Sequence, residues 1–359
     1  MKKVLLISAV FVTIFASFWG VSRPGYLVLA DDTHLSGPVI SLFNFDGSID
    51  WDEQYSQPIE NGAEFQILRR WKDQLTPVSG LRFVLKDGEA EYFSDESGVV
   101  VVPECVAGES ISLRMETKEE LFEIRSENED VYTKMLNLKC LERNVALVDE
   151  ASPAGQLLGI WQIAFMGKTK LSESVGLDFW THKLKFHWPA SGDYYSYGGN
   201  LYISAGNHWD VVAHEMGHAI YDLANVGSFG GGQHYIDRCY SNALALSEGW
   251  ASYYAAFITQ DRADTDAKFE FMVPRRAPIQ IENVPEDVCR EPTNEWRVMS
   301  FLWDLYDVNS DPEMAEYNFQ MIWDVTLNGG FRSVDGIRDA LKTKGFDAQL
   351  VDDAWSNNF

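Results

Sequence analysis

The segment DVVAHEMGHAIYD occupies residues 210–222 and contains the motif HExxH, as HEMGH at 214–218. In a helix, residues four positions apart lie on one face, so the imidazoles of His214 and His218 can reach the same metal ion. Glu215 projects about 100° round the helix from His214, which lets its carboxylate approach a water on that ion without displacing it. The motif therefore predicts a helix that binds zinc.

A catalytic zinc takes three protein ligands and keeps a further position open. The stretch ALALSEGWASYYAAF, residues 243–257, is typical of an apolar helix and has Glu248 as its one acid. A carboxylate in such a helix is costly unless it is paired or bound to a cation. We therefore predict that His214, His218 and Glu248 bind one catalytic Zn²⁺. The alternative third ligands are Asp222, His234 and Asp237.

The chain from residue 150 onward is predicted to be mostly helical. The segment EASPAGQLLG, residues 150–159, has the small residues, proline and glycine of a domain boundary. Strands are predicted over 177–189 and 200–205, and Asn207 is predicted to cap the HExxH helix. Apolar periodicity predicts helices over 207–225, 241–258, 293–306, 312–327, 333–343 and 347–355.

Residues 31–149 show a different pattern, in which short strands alternate with turn signals such as Asn61-Gly62. The predicted strands are Glu64–Arg70, Gly80–Lys86, Gly98–Pro103, Ser110–Glu116 and Val131–Cys140. Several strands at this spacing favour an antiparallel β-sandwich. The stretch 81–103 resembles prealbumin-like or immunoglobulin-like accessory modules of secreted bacterial proteins. The predicted fold class is therefore α+β, with an N-terminal antiparallel β-sandwich (31–149) followed by a mostly helical domain (150–359), whose HExxH helix resembles that of zincin-like metallopeptidases.

The HExxH segment resembles the active-site helix of thermolysin-type enzymes, and SEGWASYYA, residues 247–255, resembles the third-ligand helix of gluzincins. The resemblance implies a zinc metallopeptidase in which Glu215 is the general base and a zinc-activated water hydrolyses the peptide bond. It also implies that the strand at 200–205 is the edge strand along which a peptide substrate lies.

The sequence departs from the thermolysin-type pattern at Ser252, where those enzymes have an Asp four residues after the ligand Glu. Ligating histidines usually donate their second N–H to a carboxylate or a carbonyl. The candidate replacements are Asp222, Asp304 and Asp307. The candidates for the group that stabilises the oxyanion are His234, Tyr235, Tyr253 and Tyr306.

The N-terminus has the features of a secretory signal peptide. Lys2 and Lys3 precede an apolar run over 4–21, and cleavage is predicted after Ala30, which gives a signal peptide of residues 1–30. An uncleaved N-terminal anchor is the alternative. The predicted location is therefore secreted, cell-surface or periplasmic.

Export would place the four cysteines in an oxidising compartment, where disulfides persist. They are widely spaced, unlike the close pairs of a structural zinc site. Pairing within each predicted domain gives the disulfides Cys105–Cys140 and Cys239–Cys289.

The chain is strongly acidic, with 54 Asp and Glu against 29 Lys and Arg and a formal net charge of −25. This charge repels nucleic acids and anionic membranes, so we predict neither as a partner, apart from the possible N-terminal anchor. The predicted partner is a peptide or protein substrate, with neutral or basic peptides favoured near the zinc. The sequence indicates no particular oligomeric state.

Two alternative functions fit the same motifs. The first is a gluzincin directed at mucins or glycoproteins, which shares the HExxH motif and the downstream Glu. The second is a non-catalytic surface binding protein, in which the zinc helix is structural and the β-sandwich binds a partner. An enzyme needs an open cleft over the metal, whereas a purely structural site would be closed by a fourth protein ligand.

Overall fold

The computed structural model describes residues 51–359 apart from positions 73, 86–87, 89, 104 and 309–316. The predicted signal peptide, its cleavage site after Ala30 and the first part of the predicted sandwich lie outside the described residues. No helix within the described ranges has the length and apolar character needed to cross a membrane.

Strands fill the first part of the described chain and helices fill most of the rest, as the sequence predicts. The strands are β1 (Glu53–Pro58), β2 (Ala63–Trp71), β3 (Gln74–Pro77), β4 (Arg82–Leu85), β5 (Glu91–Phe93), β6 (Val99–Val102), β7 (Ser110–Glu116), β8 (Phe122–Arg125), β9 (Thr133–Lys139), β10 (Glu142–Val148), β11 (Leu184–His187), β12 (Tyr194–Ser196), β13 (Asn200–Tyr202), β14 (Lys268–Phe269) and β15 (Ile279–Gln280). The helices are α1 (Pro153–Ser174), α2 (Trp209–Leu223), α3 (Asn242–Thr259), α4 (Glu295–Asp304), α5 (Phe319–Thr326), α6 (Val334–Thr343) and α7 (Ala348–Asn358).

Two sheets face each other in the N-terminal part. The first has the order β1-β10-β2-β3, with β6 also paired to β2, and the second has the order β5-β4-β7-β9. Phe65 on β2 and Phe83 on β4 are buried with their ring centroids 6.1 Å apart, so the core of this part lies between the sheets. The prediction of antiparallel pairing throughout is wrong at one place, because β10 and β2 run parallel. Strand β10 follows β9 of the opposite sheet, so no hairpin forces it to run antiparallel to β2.

A third sheet, with the order β12-β13-β11-β8, joins the two parts of the chain. Strand β8 precedes residue 150 in sequence, yet it pairs in parallel with β11, which follows that residue. The buried hydrophobic core is likewise continuous from Trp51 to Ala354. A change of secondary structure therefore occurs near residue 150, while packing crosses it, and the domain division at that residue stays a prediction.

Helix α1 is the largest difference from the sequence-based prediction. Instead of a boundary segment over 150–159, the chain begins a helix at Pro153, with the Ser152 hydroxyl as its N-cap. Proline suits the first turn of a helix because no intrahelical partner awaits its missing N–H. Glycine allows close packing, since a Cβ on Gly159 would lie 2.3 Å from the Gly206 carbonyl oxygen. The residues that resemble helix breakers therefore start this helix and allow it to pack.

The predicted helices after residue 207 are confirmed as α2 to α7, with ends that differ by a few residues. The start of the segment predicted over 312–327 lies outside the described residues. Helix α2 has His208 at its N-cap and no capping side chain, so the prediction of Asn207 as the cap is wrong. The strand predicted over 177–189 forms only at β11, because a turn and bends occupy the residues before it.

Candidate metal centre and cleft

The backbones of α2 and α3 approach each other closely at Gly217. A Cβ on Gly217 would lie 2.5 Å from the carbonyl oxygen of Ala251, so a larger residue there would push the helices apart. Gly217 lies within the HExxH motif, and Ala251 lies one helical turn after Glu248. This contact therefore brings the Glu248 side chain beside the two histidines.

The three side chains predicted to bind zinc converge where these helices meet. Nε2 of His214 and Nε2 of His218 each lie 3.2 Å from Oε2 of Glu248. Ligands at about 2.0–2.1 Å from a tetrahedral zinc lie about 3.3–3.4 Å from one another. Two imidazole nitrogens and one carboxylate oxygen are also donors that zinc accepts. Both the spacing and the donor types therefore fit a zinc ion.

A hydroxyl group, rather than one of the predicted carboxylates, contacts the outer nitrogen of His214. His214 Nδ1 lies 3.0 Å from Ser252 Oγ. Asp222 instead accepts a hydrogen bond from the Tyr195 hydroxyl at 2.5 Å. The Nδ1 atom of His218 is buried and has no hydrogen-bond partner among the described residues. Ser252, the apparent departure from the thermolysin-type pattern, is therefore the residue that orients His214.

Glu248 and Glu215 are both buried, but their pKa values shift in opposite directions. Burial alone would raise the pKa of Glu248, but the adjacent His218 and His214 hold it well below its usual range. Burial raises the pKa of Glu215 to about 7, and the negative charge of Glu248 adds to this shift. His214 and the backbone N–H of Tyr195 act in the opposite direction, because both favour the charged carboxylate. A carboxylate with a pKa near neutrality can both accept and release a proton.

The donor atoms lie in an open cleft of about 900 Å³, and β12 forms one of its walls. Strand β12 is the edge of the third sheet, whereas β13 lies between β12 and β11. The prediction that 200–205 forms the edge is therefore wrong, because the preceding β12 pairs antiparallel on the outer side of β13. The described lining contains no Lys or Arg. Its carboxylates are those of Asp193, Glu215, Glu248 and Glu295.

Helix α2 holds a second wall of the cleft through Asp210. This buried carboxylate accepts hydrogen bonds from the backbone N–H groups of Glu270, Phe271 and Met272, at 2.6, 2.7 and 3.2 Å. Phe271 and Met272 line the cleft. The helix that carries the histidines therefore also fixes the position of this wall.

Both predicted disulfides, Cys105–Cys140 and Cys239–Cys289, are confirmed. The second ties the loop between α2 and α3 to the segment that precedes α4. His234 lies in that loop and lines the cleft, with Nε2 3.8 Å from Oε2 of Glu248.

The structure separates the remaining candidates. Within the described lining of the cleft, His234 is present, whereas the other oxyanion candidates are absent. Tyr253 and Tyr306 are buried in the helical core, and Tyr235 packs against the Arg275 guanidinium. Among the alternative third ligands, Asp237 is paired with Arg275.

Two groups of cleft residues are not predicted from the sequence. Tyr194, Tyr195 and Tyr197 line the cleft from β12 and the turn after it, and Glu295 lines it from the first turn of α4. No motif marks these residues. The Asn294 N-cap does mark the start of α4, and an acid directly after it is a common feature of helix starts, so Glu295 carried no specific signal.

A family model matches the part of the chain that forms the cleft. Residues 177–340, less than half of the chain, match the family model described as the Mycolysin C-terminal domain. The matched region includes the HExxH motif, Glu248 and Glu295. No curated protein matches the chain. The family match supports a peptidase of the gluzincin type and fits an extracellular location.

Proposed function

We propose that this protein is a secreted zinc-dependent peptidase, in which His214, His218 and Glu248 bind zinc and Glu215 is the general base. The observation that carries the proposal is the convergence of the three donor atoms at an open cleft, with both histidine nitrogens 3.2 Å from the Glu248 oxygen. The Mycolysin C-terminal domain match supports the same chemistry.

Zinc bound at these donors would supply a Lewis acid that acidifies water and polarises the scissile carbonyl. Glu215 would take the proton of the attacking water and pass it to the leaving amine. Its position suits this role, because the carboxylate lines the cleft and burial brings its pKa to about 7. Ser252 would keep the His214 ring in the orientation that directs Nε2 at the ion.

The substrate would bind along β12, the edge of the third sheet. An edge strand presents unpaired backbone N–H and C=O groups, which an extended peptide can pair with. Tyr195 of this strand and Glu215 both line the cleft. This strand would therefore place the peptide backbone next to the general base.

The substitution Glu215→Gln tests the proposal. It removes the carboxylate that moves the proton while leaving all three donor atoms in place. We expect the variant to retain zinc and to lose about 10²–10⁴-fold in kcat/KM. Cleavage of a mixed peptide library is measured by mass spectrometry. Glu173→Gln, an exposed site on α1, is the control and should behave as wild type. A zinc-loaded Glu215→Gln variant that cleaves at the wild-type rate would disprove the assignment.

The open cleft favours an enzyme over a non-catalytic zinc-stabilised protein, because a structural site would be closed by a fourth ligand. The mucin- and glycoprotein-directed alternative differs in substrate rather than in chemistry. Including glycosylated peptides in the library distinguishes it, since such an enzyme would cleave them in preference to the unmodified sequences.

A further inference from the structure

A second group of metal-ligating atoms lies beside the three proposed zinc donors. His234 Nε2 lies 3.3 Å from Glu295 Oε2 and 3.8 Å from Glu248 Oε2. Donor atoms of these three side chains all lie within 4.8 Å of one another. Glu248 therefore belongs to both groups, with the two HExxH histidines on one side and His234 with Glu295 on the other.

The contacts of His234 show which nitrogen is free to bind a cation. His234 Nδ1 lies 3.1 Å from the carbonyl oxygen of Gly232, and since a carbonyl can only accept, Nδ1 carries a proton. In the neutral ring, Nε2 then directs its lone pair toward the two carboxylates. A backbone carbonyl that fixes the tautomer in this way is the usual arrangement around a metal-binding histidine.

Glu295 provides an independent sign that a ligand is required. Its side chain is only 7% exposed, and its Oε2 atom is buried with no hydrogen-bond partner among the described residues. A buried carboxyl oxygen without a hydrogen-bond partner is costly. The nearest basic atom, His234 Nε2, faces it without forming a hydrogen bond, which leaves a place for a cation between them.

The surrounding backbone holds these side chains together. The Asn294 side-chain amide donates to the carbonyls of Ile236 at 2.9 Å and Arg238 at 3.0 Å, which fastens the loop that carries His234 to the start of α4. Helix α3 also approaches α4 closely, because a Cβ on Gly249 would lie 2.7 Å from the Glu295 carbonyl oxygen. The three side chains therefore lie on two packed helices and on a loop that hydrogen bonds hold against the start of α4.

We propose that His234, Glu248 and Glu295 form a second divalent-cation site that shares Glu248 with the proposed catalytic zinc, and this inference rests on the proposed function. One imidazole and two carboxylates suit Zn²⁺. Two ions that share a carboxylate lie about 3.5–4 Å apart and repel each other. The second ion therefore binds more weakly than the first.

Zinc titration of the full-length chain tests the second site. The protein is dialysed against increasing concentrations of free Zn²⁺, and the number of zinc ions bound per chain is measured by elemental mass spectrometry. We expect wild type to bind one zinc and then a second, while His234→Gln and Glu295→Gln each stop at one. The control is His187→Gln, because His187 also lies beside a carboxylate, Glu129 at 3.2 Å, but outside the cleft, and this variant should bind two.

Circular dichroism identifies the folded variants, and if one cleft variant unfolds, the other decides the result. A wild-type protein that hydrolyses peptides but saturates at one zinc would overturn the second site and leave the proposed function intact. A folded cleft variant that still binds two would also overturn it. A wild-type protein that binds no zinc would instead overturn the proposed function itself.

Discussion

The donor atoms and the walls of the cleft are held in place by different kinds of contact. The donors lie on α2 and α3, two helices packed so closely that the Gly217 backbone meets the Ala251 carbonyl. The walls are an edge strand and loops, attached through a few hydrogen bonds such as those that Asp210 accepts. We therefore expect changes at the donors to remove zinc, and changes at the walls to alter substrate binding while zinc remains.

The largest effect is expected for Glu248→Ala, which removes one of the three donor atoms. Loss of a residue that only hydrogen-bonds a metal ligand weakens metal binding by about 10–100-fold. Loss of the ligand itself should therefore weaken zinc binding by more than about 100-fold. Zinc content is measured after dialysis at low free zinc, where only the tighter site is filled. Glu291→Ala, at an exposed residue near α4, is the control. Unchanged zinc content would point to His234 as the third ligand, because it is the one alternative of the three that lines the cleft.

Asp210→Ala tests the other side of the comparison. It leaves three backbone N–H groups of the 270–272 segment without their acceptor, at a cost of about 2–4 kcal/mol in the free energy of unfolding. Because Phe271 and Met272 line the cleft, we expect a higher KM with unchanged zinc content. Urea unfolding, peptidase kinetics and metal analysis measure the three quantities. Asp266→Ala, an exposed acid near β14, should leave all of them unchanged, and loss of zinc in Asp210→Ala would contradict the separation of donors from walls.

Gly217→Ala tests whether the helix contact holds the donors together. The added Cβ would lie 2.5 Å from a backbone oxygen that cannot move without shifting α3, so we expect a loss of about 1–3 kcal/mol in unfolding free energy. Zinc affinity should fall as Glu248 moves away from the histidines. Gly192→Ala is the matched control, because its Cβ meets no atom within 4 Å. Equal zinc affinity in the two variants would show that the donors do not depend on this contact.

The same contrast explains how much the sequence could predict. His214, His218 and Glu248 could be identified because helical periodicity determines where their side chains point, and the structure brings them together. The edge position of β12 and the proximity of Glu295 to His234 could not be predicted, because both depend on contacts between segments far apart in the chain.

Residue types in α1 and at Ser252 are compatible with two different structural roles. Pro153 and the glycines that follow resemble a boundary, yet proline starts this helix and Gly159 allows it to pack against Gly206. Ser252 occupies the position where a carboxylate was expected, and its hydroxyl lies within hydrogen-bonding distance of His214 instead. Residue type alone does not distinguish these roles, since the distances to neighbouring atoms decide them.

The charge of the walls should appear in substrate preference. Because four carboxylates and no described Lys or Arg line the cleft, Lys-rich peptides should be cleaved faster than Glu-rich peptides at low salt, by about tenfold. The preference should shrink at about 1 M salt, where charges are screened over about 3 Å. Uncharged peptides of equal length are the control for a general effect of salt. A preference that persists unchanged at high salt would indicate shape selection rather than charge.

The smallest effect is expected for the ion pair that holds the loop carrying His234. Arg275 donates two hydrogen bonds to Asp237 and lowers the pKa of that carboxyl to about 2. Because the folded pKa is below the usual 3.8, Asp237 stabilises the fold at pH values above about 4 and loses that contribution as the pH falls toward 2. Asp237→Asn should therefore lower the Tm by no more than about 2 °C at pH 6, since the pair is near the surface, and by less at pH 2.5. A difference in Tm that stays the same at both pH values would mean that Asp237 acts through contacts other than its charge.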